Sequence, residues 1–363
     1  MRKYKICIYA ICKNEEHFVD RWMDSMSEAD QIIVTDTGSE DGTVQRLRER
    51  GAIVYSEEIR PWRFDTARNR SLTHVPDDAD IAVCTDLDEV LRPGWRECLE
   101  QAWEEGATMG NYLYNWSLNP DGTPHTQFRY FKVHTKGDYR WQCPVHECLR
   151  FVGNGPEKKI FIDGMVLDHH PDRTKSRSSY LPLLEMAVAE DPGSDRMSYY
   201  LGREYMYAGR WNDCIETLKQ YLELPNARWQ EERCAAMRWM ARSYHKQGQI
   251  KSAYQWYYRA IAEQPAMRDA YIECAKMSYL LEDWNTVAVM TAEALKIREK
   301  SATYVNMGYS WDHTPDDLAA IACYRLGMYR QSLLHAEKAL SYEPDNQRLQ
   351  KNLELIKAKC NRE

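Results

Sequence analysis

The first 170 residues alternate short apolar runs with stretches whose apolar positions recur at helical spacing. Strands are predicted at residues 4–11, 31–36, 52–56 and 80–86. Helices are predicted through Met26, from Thr43 and across residues 65–73. Strands that alternate with helices form a parallel sheet through right-handed crossovers, so the pattern predicts an α/β domain. Aromatic-rich segments after Asn111 are predicted to extend the sheet with antiparallel strands.

From Lys175 onward the strand pattern disappears and a helical repeat replaces it. One unit, counted from Tyr244, places Gly248 at +4 and the small residues Ala253 and Ala260 at +9 and +16. Similar offsets recur in units that begin at Tyr205, Ser278 and Cys323. Small residues at these offsets allow two antiparallel helices to approach closely, which is typical of tetratricopeptide repeats. The predicted organisation is an α/β domain at 1–172, a connecting helix at 173–192 and about four repeats at 193–363.

Composition and charge exclude several classes of function. The formal net charge of −7 and the isoelectric point of about 5.9 disfavour a general electrostatic attraction to nucleic acid or anionic lipid. No apolar run approaches the roughly 18 residues that span a bilayer, and the first residues lack the apolar length of a signal peptide. The 11 cysteines are scattered, as in a reduced cytosolic protein. We therefore expect a cytoplasmic protein with no transmembrane segment.

Two acidic residues follow the apolar run of the fourth predicted strand. Asp86 and Asp88 come after this run, whereas the similarly spaced Asp78 and Asp80 precede it. Ligands of open α/β sheets bind at the carboxyl ends of the strands, so only Asp86 and Asp88 are expected to face a cleft. Two carboxylates separated by one residue can share a divalent cation and a ribose or phosphate group. The alternative interpretation is a solvated turn before the next helix.

Two further segments bring polar side chains towards the same edge of the sheet. Asp36 ends the second predicted strand and is followed by a turn that contains glycine. Arg68 lies on the helix predicted at residues 65–73, where it can reach a phosphate, brace the acidic cluster or form a surface salt bridge. No glycine-rich phosphate loop follows any predicted strand, which argues against a dinucleotide oxidoreductase or a P-loop NTPase.

Four segments of the α/β part resemble glycosyltransferase family 2, the inverting enzymes of the GT-A fold. They read ICKNEE, VTDTGSEDGT, FDTARN and CTDLDEVL, in that family's order and approximate spacing. The resemblance continues into WQCPVHECL and LDHHPDRTKSRSSY and covers residues 4 to about 172. With the repeats included, the chain is similar to a bacterial branch that includes lipopolysaccharide-core-type transferases and the S-glycosyltransferases of glycopeptide bacteriocins. The resemblance implies an α/β GT-A nucleotide-sugar-binding domain followed by an all-α tetratricopeptide repeat domain.

The resemblance also implies which residues bind the nucleotide-sugar donor. Asp36 would contact the nucleotide base, Asp86 the ribose side and Asp88 the metal–diphosphate group. Arg68 is counted with these donor-binding residues. The donor implied is a UDP-sugar.

A divalent cation, Mn²⁺ or Mg²⁺, is the cofactor that the resemblance implies. Asp88 would be one ligand, and His169 matches the late histidine that completes the metal site in the family. A cation of intermediate softness accepts imidazole beside carboxylate and phosphate oxygens, so this ligand set is chemically reasonable. His170 is the alternative ligand, and His169 is favoured over it.

Glu147 stands where many family 2 enzymes carry an acidic catalytic base. An inverting transfer is a single in-line displacement at the anomeric carbon, which needs a carboxylate or an imidazole to take the proton of the acceptor. Here Glu147 follows His146, whereas the family more often has a Glu-Asp pair. Both Glu147 and His146 therefore stay open as the base, and a structural ion pair is the alternative role.

The chain is predicted to be a metal-dependent inverting glycosyltransferase that acts on a polypeptide or glycan acceptor. Concave repeat surfaces suit peptide binding, and a repeat surface free of the catalytic domain is expected to form a homodimer contact. Three rival hypotheses are a tetratricopeptide scaffold with a degenerate, inactive transferase domain, a transferase acting on nucleic acid, and a nucleotidyltransferase. An inactive domain is expected to lose its strand-end acids, whereas Asp36, Asp86, Asp88 and His169 are all present.

Overall fold

The computed structural model of the chain describes residues 3–172 and 180–360. It divides into an N-terminal unit, Met1–Asp191, and a C-terminal unit, Pro192–Glu363. Each unit contains its own clusters of buried apolar side chains, so each is described by itself.

The N-terminal unit is built on a mixed sheet of eight strands and a separate sheet of two. Its strands are β1 (Ile6–Cys12), β2 (Gln31–Asp36), β3 (Ile53–Ser56), β4 (Ile81–Cys84), β5 (Glu89–Leu91), β6 (Met109–Leu118), β7 (Pro124–His134), β8 (Tyr139–Gln142), β9 (Cys148–Phe151) and β10 (Lys159–His169). Its helices are a 3₁₀ turn (Glu16–Phe18), α1 (Val19–Met26), α2 (Thr43–Glu49), α3 (Phe64–Thr73), α4 (Trp95–Ala102) and α5 (Tyr180–Glu190).

The order of the strands joins a parallel half to a mixed half. β3, β2, β1 and β4 lie side by side in parallel. β7, β6, β10 and β5 continue the sheet in that order, and β7 runs antiparallel to both β4 and β6. The predicted α/β fold class is therefore confirmed, including the antiparallel extension after Asn111.

Strand β1 lies at the centre of the parallel half and is buried along its whole length. Side chains alternate between the two faces of a strand. Ile6 and Ile8 accordingly pack with Trp22 of α1 on one face, whereas Cys7 packs with Leu72 of α3 on the other. Helices thus cover both faces of the sheet, which explains why the predicted parallel strands are almost continuously apolar.

The carboxyl ends of the strands gather the predicted site residues at one edge of the sheet. Cys12, the last residue of β1, lies opposite Asp36, the last residue of β2. On the other half of the sheet, His169 of β10 pairs with Glu89 of β5. Since Asp88 immediately precedes β5 in the chain, this pairing places the end of β10 beside the acidic turn.

The C-terminal unit consists of helices. They are α6 (Asp195–Tyr207), α7 (Trp211–Glu223), α8 (Gln230–Lys246), α9 (Ile250–Glu263), α10 (Arg268–Leu280), α11 (Trp284–Lys296), a 3₁₀ turn (Gly308–Ser310), α12 (Thr314–Arg325), α13 (Tyr329–Tyr342) and α14 (Gln347–Cys360). The first eight α-helices form four pairs, α6 with α7 through α12 with α13. Within the described part of the chain, no helix has both the length and the apolar character needed to cross a membrane.

The structure explains the repeat pattern, because its small residues are buried between paired helices and its turn residues have a positive φ. The residues at +9 and +16 are buried in every pair: Cys214, Tyr221, Ala253, Ala260, Val287, Ala294, Ser332 and Ala339. The residue at +4 has a positive φ in every pair: Gly209, Gly248, Glu282 and Gly327. The predicted all-α repeat domain is therefore confirmed.

The segment between the two predicted domains is described only in part. Residues 173–179 of the predicted connecting helix, 173–192, lie outside the described residues. Within the described residues, helix α5 covers Tyr180–Glu190 and belongs to the N-terminal unit. Glu190 of α5 forms an ion pair of 2.6 Å with Arg63, which precedes α3.

Candidate active site

Asp36 closes β2 with a turn that its own carboxylate stabilises. Its Oδ1 accepts a hydrogen bond from the Ser39 N–H at 3.0 Å, and its Oδ2 accepts one from the Gly38 N–H at 3.2 Å. Gly38 has a φ of 105°, which glycine adopts without strain. Asp36 is thus buried at the carboxyl edge of the sheet. Among the described residues it shares no hydrogen bond or ion pair with Asp86 or Arg68.

Arg68 connects two predicted site residues from different segments. Its Nη2 lies 2.8 Å from Asp86 Oδ1, and its Nε donates to Glu147 Oε1. The guanidinium carbon lies 5.1 Å from the centre of the Trp141 ring. Burial opposes the charge of this side chain, but attraction to Asp86 and Glu147 outweighs burial and raises the pKa of Arg68 well above its usual value. Arg68 therefore stays charged and fixes both carboxylates.

Asp86 lies between Arg68 and a second buried cation, Lys132 of β7. Its Oδ2 is 3.0 Å from Lys132 Nζ, and the same Nζ is 3.3 Å from Glu89 Oε1. Only 2% of Lys132 is exposed. Although burial opposes ionisation, the two cations hold the pKa of Asp86 well below its usual value. Asp86 is consequently a fixed acceptor at this edge and does not exchange protons near neutral pH.

Glu89 holds the backbone of the acidic turn. Its Oε2 accepts a hydrogen bond from the Asp86 N–H at 2.9 Å, and its Oε1 accepts one from the Tyr114 hydroxyl at 3.0 Å. Burial raises the pKa of Glu89 even though Lys132 attracts its charged form. Glu89 and Lys132 are the members of this network that the sequence did not predict. For Lys132, the sequence offered one indication, namely a lysine between Phe131 and Val133 in an aromatic-rich strand.

Asp88 and His169 form a separate pair beside this network. His169 Nε2 lies 3.3 Å from Asp88 Oδ2, and its Nδ1 lies 3.0 Å from the Trp116 carbonyl. The imidazole stacks on the Trp116 ring, with ring centres 4.6 Å apart. Burial opposes the charged imidazole, but the hydrogen bond to Asp88 prevails and raises the pKa of His169.

The donor atoms of this pair fit a divalent cation. A carbonyl oxygen can only accept, so the proton of a neutral His169 sits on Nδ1 and its Nε2 lone pair faces Asp88 Oδ2. Two lone pairs in this arrangement need a proton or a metal ion between them. Carboxylate and imidazole together suit Mn²⁺ and comparable cations. In the described residues, no group of three or more His, Cys, Asp or Glu side chains is arranged as a metal site.

His170, the alternative metal ligand, is attached to the same turn through its backbone. Its N–H donates to the Asp88 carbonyl at 2.8 Å. Burial lowers the pKa of its imidazole. The structure thus brings the side chain of His169 against the Asp88 carboxylate and uses His170 to hold the Asp88 backbone.

Glu147 and His146 lie in the loop between β8 and β9. The Phe64 N–H at the start of α3 donates to the Pro144 carbonyl of this loop at 2.9 Å, which ties the loop to the helix of Arg68. Glu147 is held by Arg68, whereas the His146 ring meets the Tyr180 ring edge-on at 5.7 Å. Of the two candidate bases, Glu147 is the one joined to Asp86 through Arg68.

A cleft opens at the ends of the first three strands, next to Asp36 in the chain. It has a volume of about 400 Å³ and is lined by Lys13, Thr37, Glu58, Ile59, Arg60 and Trp62. Lys13 follows β1, Thr37 follows Asp36, and the last four belong to the loop after β3. Glu58 forms an ion pair with Arg60 and offsets its charge, which leaves Lys13 and the indole ring of Trp62 to suit an anionic ligand that carries a flat ring.

Comparison with protein families decides the assignment of this part of the chain. Residues 7–152 match the model of the family described as Glycosyl transferase family 2. This part of the chain is a glycosyltransferase family 2 domain. The match includes Asp36, Arg68, Asp86, Asp88 and Glu147 and ends before His169. The predicted family and enzyme class are confirmed for the family 2 domain.

Solved structures resemble parts of the chain. One is glucosyl-3-phosphoglycerate synthase from Mycobacterium tuberculosis in complex with Mn²⁺, UDP and glucosyl-3-phosphoglycerate, at 28% identity over 31% of this chain and 45% of that chain, with a TM-score of 0.28. Another is the C-terminal part of a TPR repeat-containing protein from Cytophaga hutchinsonii, at 15% identity over 51% of this chain and 66% of that chain, with a TM-score of 0.42. A third is MamA, at 18% identity over 45% of this chain and 86% of that chain, with a TM-score of 0.37. The chain spans less than half of the synthase.

Proposed function

We propose that this protein transfers a sugar from a UDP-sugar to a polypeptide or glycan acceptor, with inversion at the anomeric carbon. The observation that carries the proposal is the arrangement at the carboxyl edge of the eight-stranded sheet. There, the Asp88–His169 pair lies beside a network in which Arg68 joins Asp86 to Glu147. This arrangement supports the proposal because the residues proposed for the donor, the metal ion and the base would then act at one edge of the sheet.

The donor would bind across the ends of the first four strands. Asp36 would contact the base, and Asp86, which Arg68 and Lys132 hold ionised, would accept from the ribose. Lys13 lines the neighbouring cleft and would attract the diphosphate. Asp88 and His169 would hold a divalent cation, Mn²⁺ or Mg²⁺, whose chemistry is to offset the negative charge of the leaving diphosphate.

The acceptor atom needs a base on the face of the sugar opposite the diphosphate. Glu147 is proposed for this role, with His146 as the alternative. Arg68 orients the Glu147 carboxylate, because its Nε donates a charge-assisted hydrogen bond to Oε1. In this scheme Arg68 is a positioning residue for the base and for the donor-binding Asp86.

A donor assay tests the proposed function directly. The protein is incubated with a panel of nucleotide sugars and Mn²⁺ or Mg²⁺, and release of the nucleoside diphosphate is measured. We expect slow hydrolysis of a UDP-sugar that chelator abolishes and added metal restores. A folded protein that turns over none of the nucleotide sugars, with polypeptide and glycan acceptors present, would overturn the proposal.

A matched pair of variants assigns the metal ligand. Asp88→Asn should reduce donor turnover by about 100-fold or more, because an amide binds a divalent cation more weakly than a carboxylate. It should also remove the dependence of UDP binding on Mn²⁺ in calorimetry. Asp78→Asn is the control, because Asp78 belongs to the other Asp-X-Asp segment and pairs with Lys5 at the surface. Unchanged turnover in Asp88→Asn would contradict the assignment.

A further inference from the structure

An unusually long connection interrupts the repeats between α11 and α12. It spans residues 297–313. The connections between α9 and α10, residues 264–267, and between α13 and α14, residues 343–346, are much shorter. The sequence shows this only as a wider spacing between two repeat units. The structure shows where the additional residues lie.

The connection reaches back over the two preceding helix pairs. The Tyr304 hydroxyl donates to the Glu232 carboxylate of α8, and the Tyr309 hydroxyl donates to Glu273 Oε1 of α10 at 2.8 Å. Between these two tyrosines, the Val305 carbonyl accepts a hydrogen bond from Arg238 Nη1 of α8 at 3.3 Å. Helices α8 and α10 therefore form hydrogen bonds with both the side chains and the backbone of the connection.

The start of α10 holds the second half of the connection. Asp269 Oδ1 accepts from the Met307 N–H at 2.6 Å and from the Ser310 hydroxyl at 3.0 Å. Arg268 Nε donates to the Ile297 carbonyl at 2.7 Å, and its guanidinium lies 4.0 Å from the Trp311 ring. The two ends of the connection are thus fixed by one arginine.

The recognising residues lie on one face of the first helices of their pairs. On α10 they are Asp269, Glu273 and Lys276, at helical spacing, and Lys276 Nζ is 3.8 Å from the Tyr309 ring. On α8 they include Arg238, which is fully buried and pairs with Glu273 at 2.6 Å. We call this set, with Glu232, the first-helix face. First helices of such repeats form the concave surface that binds peptides in solenoid proteins.

The first-helix face has the chemistry of a peptide site. Its acids accept hydroxyl and amide donors, its arginine donates to a carbonyl, and its lysine lies over an aromatic ring. We propose that this face recognises extended polypeptide and that residues 299–311 of the chain itself are its occupant. A polypeptide partner then binds this face only when the segment is displaced. This inference is independent of the proposed function.

A shortened variant tests the proposal. Residues 297–313 are replaced by the four residues Gln264–Met267 of the neighbouring connection. A fluorescent peptide with the sequence of residues 299–311 is then titrated into the protein. We expect saturable binding at least about tenfold tighter than to the full chain, where the tethered segment competes at high effective concentration. A peptide with alanine at both tyrosine positions is the matched control and should not bind.

Two outcomes would overturn the proposal. One is a shortened variant that keeps its helical circular dichroism but does not bind the peptide. The other is a full chain that binds the peptide as tightly as the shortened variant does, because the face would then be open.

A second variant covers the case in which the shortened chain fails to fold. The double substitution Tyr304→Phe and Tyr309→Phe removes two hydroxyl donors and leaves Glu232 and Glu273 without them. We expect amide hydrogen exchange across residues 299–311 to rise at least about tenfold and peptide binding to appear. Tyr258→Phe, at an exposed tyrosine of α9, is the control and should change neither. Unchanged exchange in the double variant would show that the face does not hold the segment.

Discussion

At the scale of single residues, Arg68 has the largest share in building the site. It lies on α3, and it bonds to Asp86 after β4 and to Glu147 before β9. A guanidinium can hold two carboxylates at once because its donors form a rigid fork. Its charge also offsets two acids at an edge that would otherwise repel an anionic donor.

Substitution of Arg68 tests this role. Arg68→Lys keeps the charge but offers one nitrogen, which cannot hold both carboxylates in place. We expect donor turnover to fall about 10- to 100-fold with the helical and sheet signals of circular dichroism unchanged. Arg63→Lys is the control, since Arg63 pairs with Asp65 and Glu190 outside the network. Full turnover in Arg68→Lys would show that the bridge is only structural.

The choice of catalytic base is also a question about single residues. Glu147→Gln keeps the size of the side chain and its contact with Arg68 but cannot accept a proton. We expect UDP binding to persist and transfer to the acceptor to fall by about 100-fold or more. His146→Ala should leave most of the transfer. The reverse result, with His146→Ala inactive and Glu147→Gln active, would assign the base to His146.

At the scale of elements, the turns between paired helices explain both the repeat pattern and one departure from it. Three pairs turn at a glycine with a φ between 74° and 76°, and the third pair turns at Glu282 with a φ of 56°. A side chain with a Cβ is strained in this left-handed conformation, whereas glycine is not. The helix pair α10–α11 therefore forms in spite of its turn residue.

Exchange of the turn residues makes this strain measurable. Glu282→Gly should stabilise the C-terminal unit by about 0.5–1 kcal/mol, because relief of strain exceeds the added flexibility of the unfolded chain. Gly248→Ala is the reverse substitution, and no atom lies within 4 Å of the added Cβ, so its cost reports the backbone alone. Thermal unfolding followed by circular dichroism at 222 nm should show shifts of opposite sign. A decrease in stability of Glu282→Gly would mean that the glutamate contributes more than its strain costs.

At the scale of the whole N-terminal unit, a buried histidine links three strands. The His134 Nδ1–H donates to the Thr135 carbonyl at 2.8 Å, and Nε2 accepts from the Tyr9 hydroxyl at 2.8 Å. That hydroxyl in turn accepts from Trp141 Nε1 at 2.8 Å. β7, β1 and β8 are thereby joined around a neutral imidazole, and burial lowers the pKa of His134 to about 4.

This histidine gives the unit a defined pH dependence. The unfolded chain takes up a proton near pH 6.5, whereas the folded unit does so only near pH 4. The contribution to stability is therefore complete above pH 6.5 and is lost as the pH falls towards 4, by about 3 kcal/mol in all. The free energy of unfolding is measured in urea at pH 7, 6 and 5, with amide hydrogen exchange of β1 as the readout. His134→Asn should show a smaller loss between pH 7 and 5, and an equal loss would contradict the prediction.

The sequence determined the elements and the faces they bury, because both depend on local periodicity. The apolar runs predicted at 4–11 and 31–36 correspond to β1 and β2. The small residues counted from Tyr244, Ala253 and Ala260, are buried positions of α9. The strand-end positions of Asp36 and Asp86 also followed from the sequence. A parallel sheet places the carboxyl ends of its strands at one edge whatever the rest of the fold does.

Only the tertiary structure decided which distant side chains meet. In the sequence, Lys132 is a single polar residue in an aromatic-rich strand. It becomes part of the site because β7 pairs with β4, which brings Lys132 to Asp86. Glu89 gives no sign in the sequence of its role, yet its carboxylate accepts a hydrogen bond from the Asp86 N–H. The segment 299–311 reads as an insertion, and its contacts with α8 and α10 appear only when the helices stack. Periodicity records which side of an element is buried, whereas the partner across that surface depends on pairings between segments far apart in the chain.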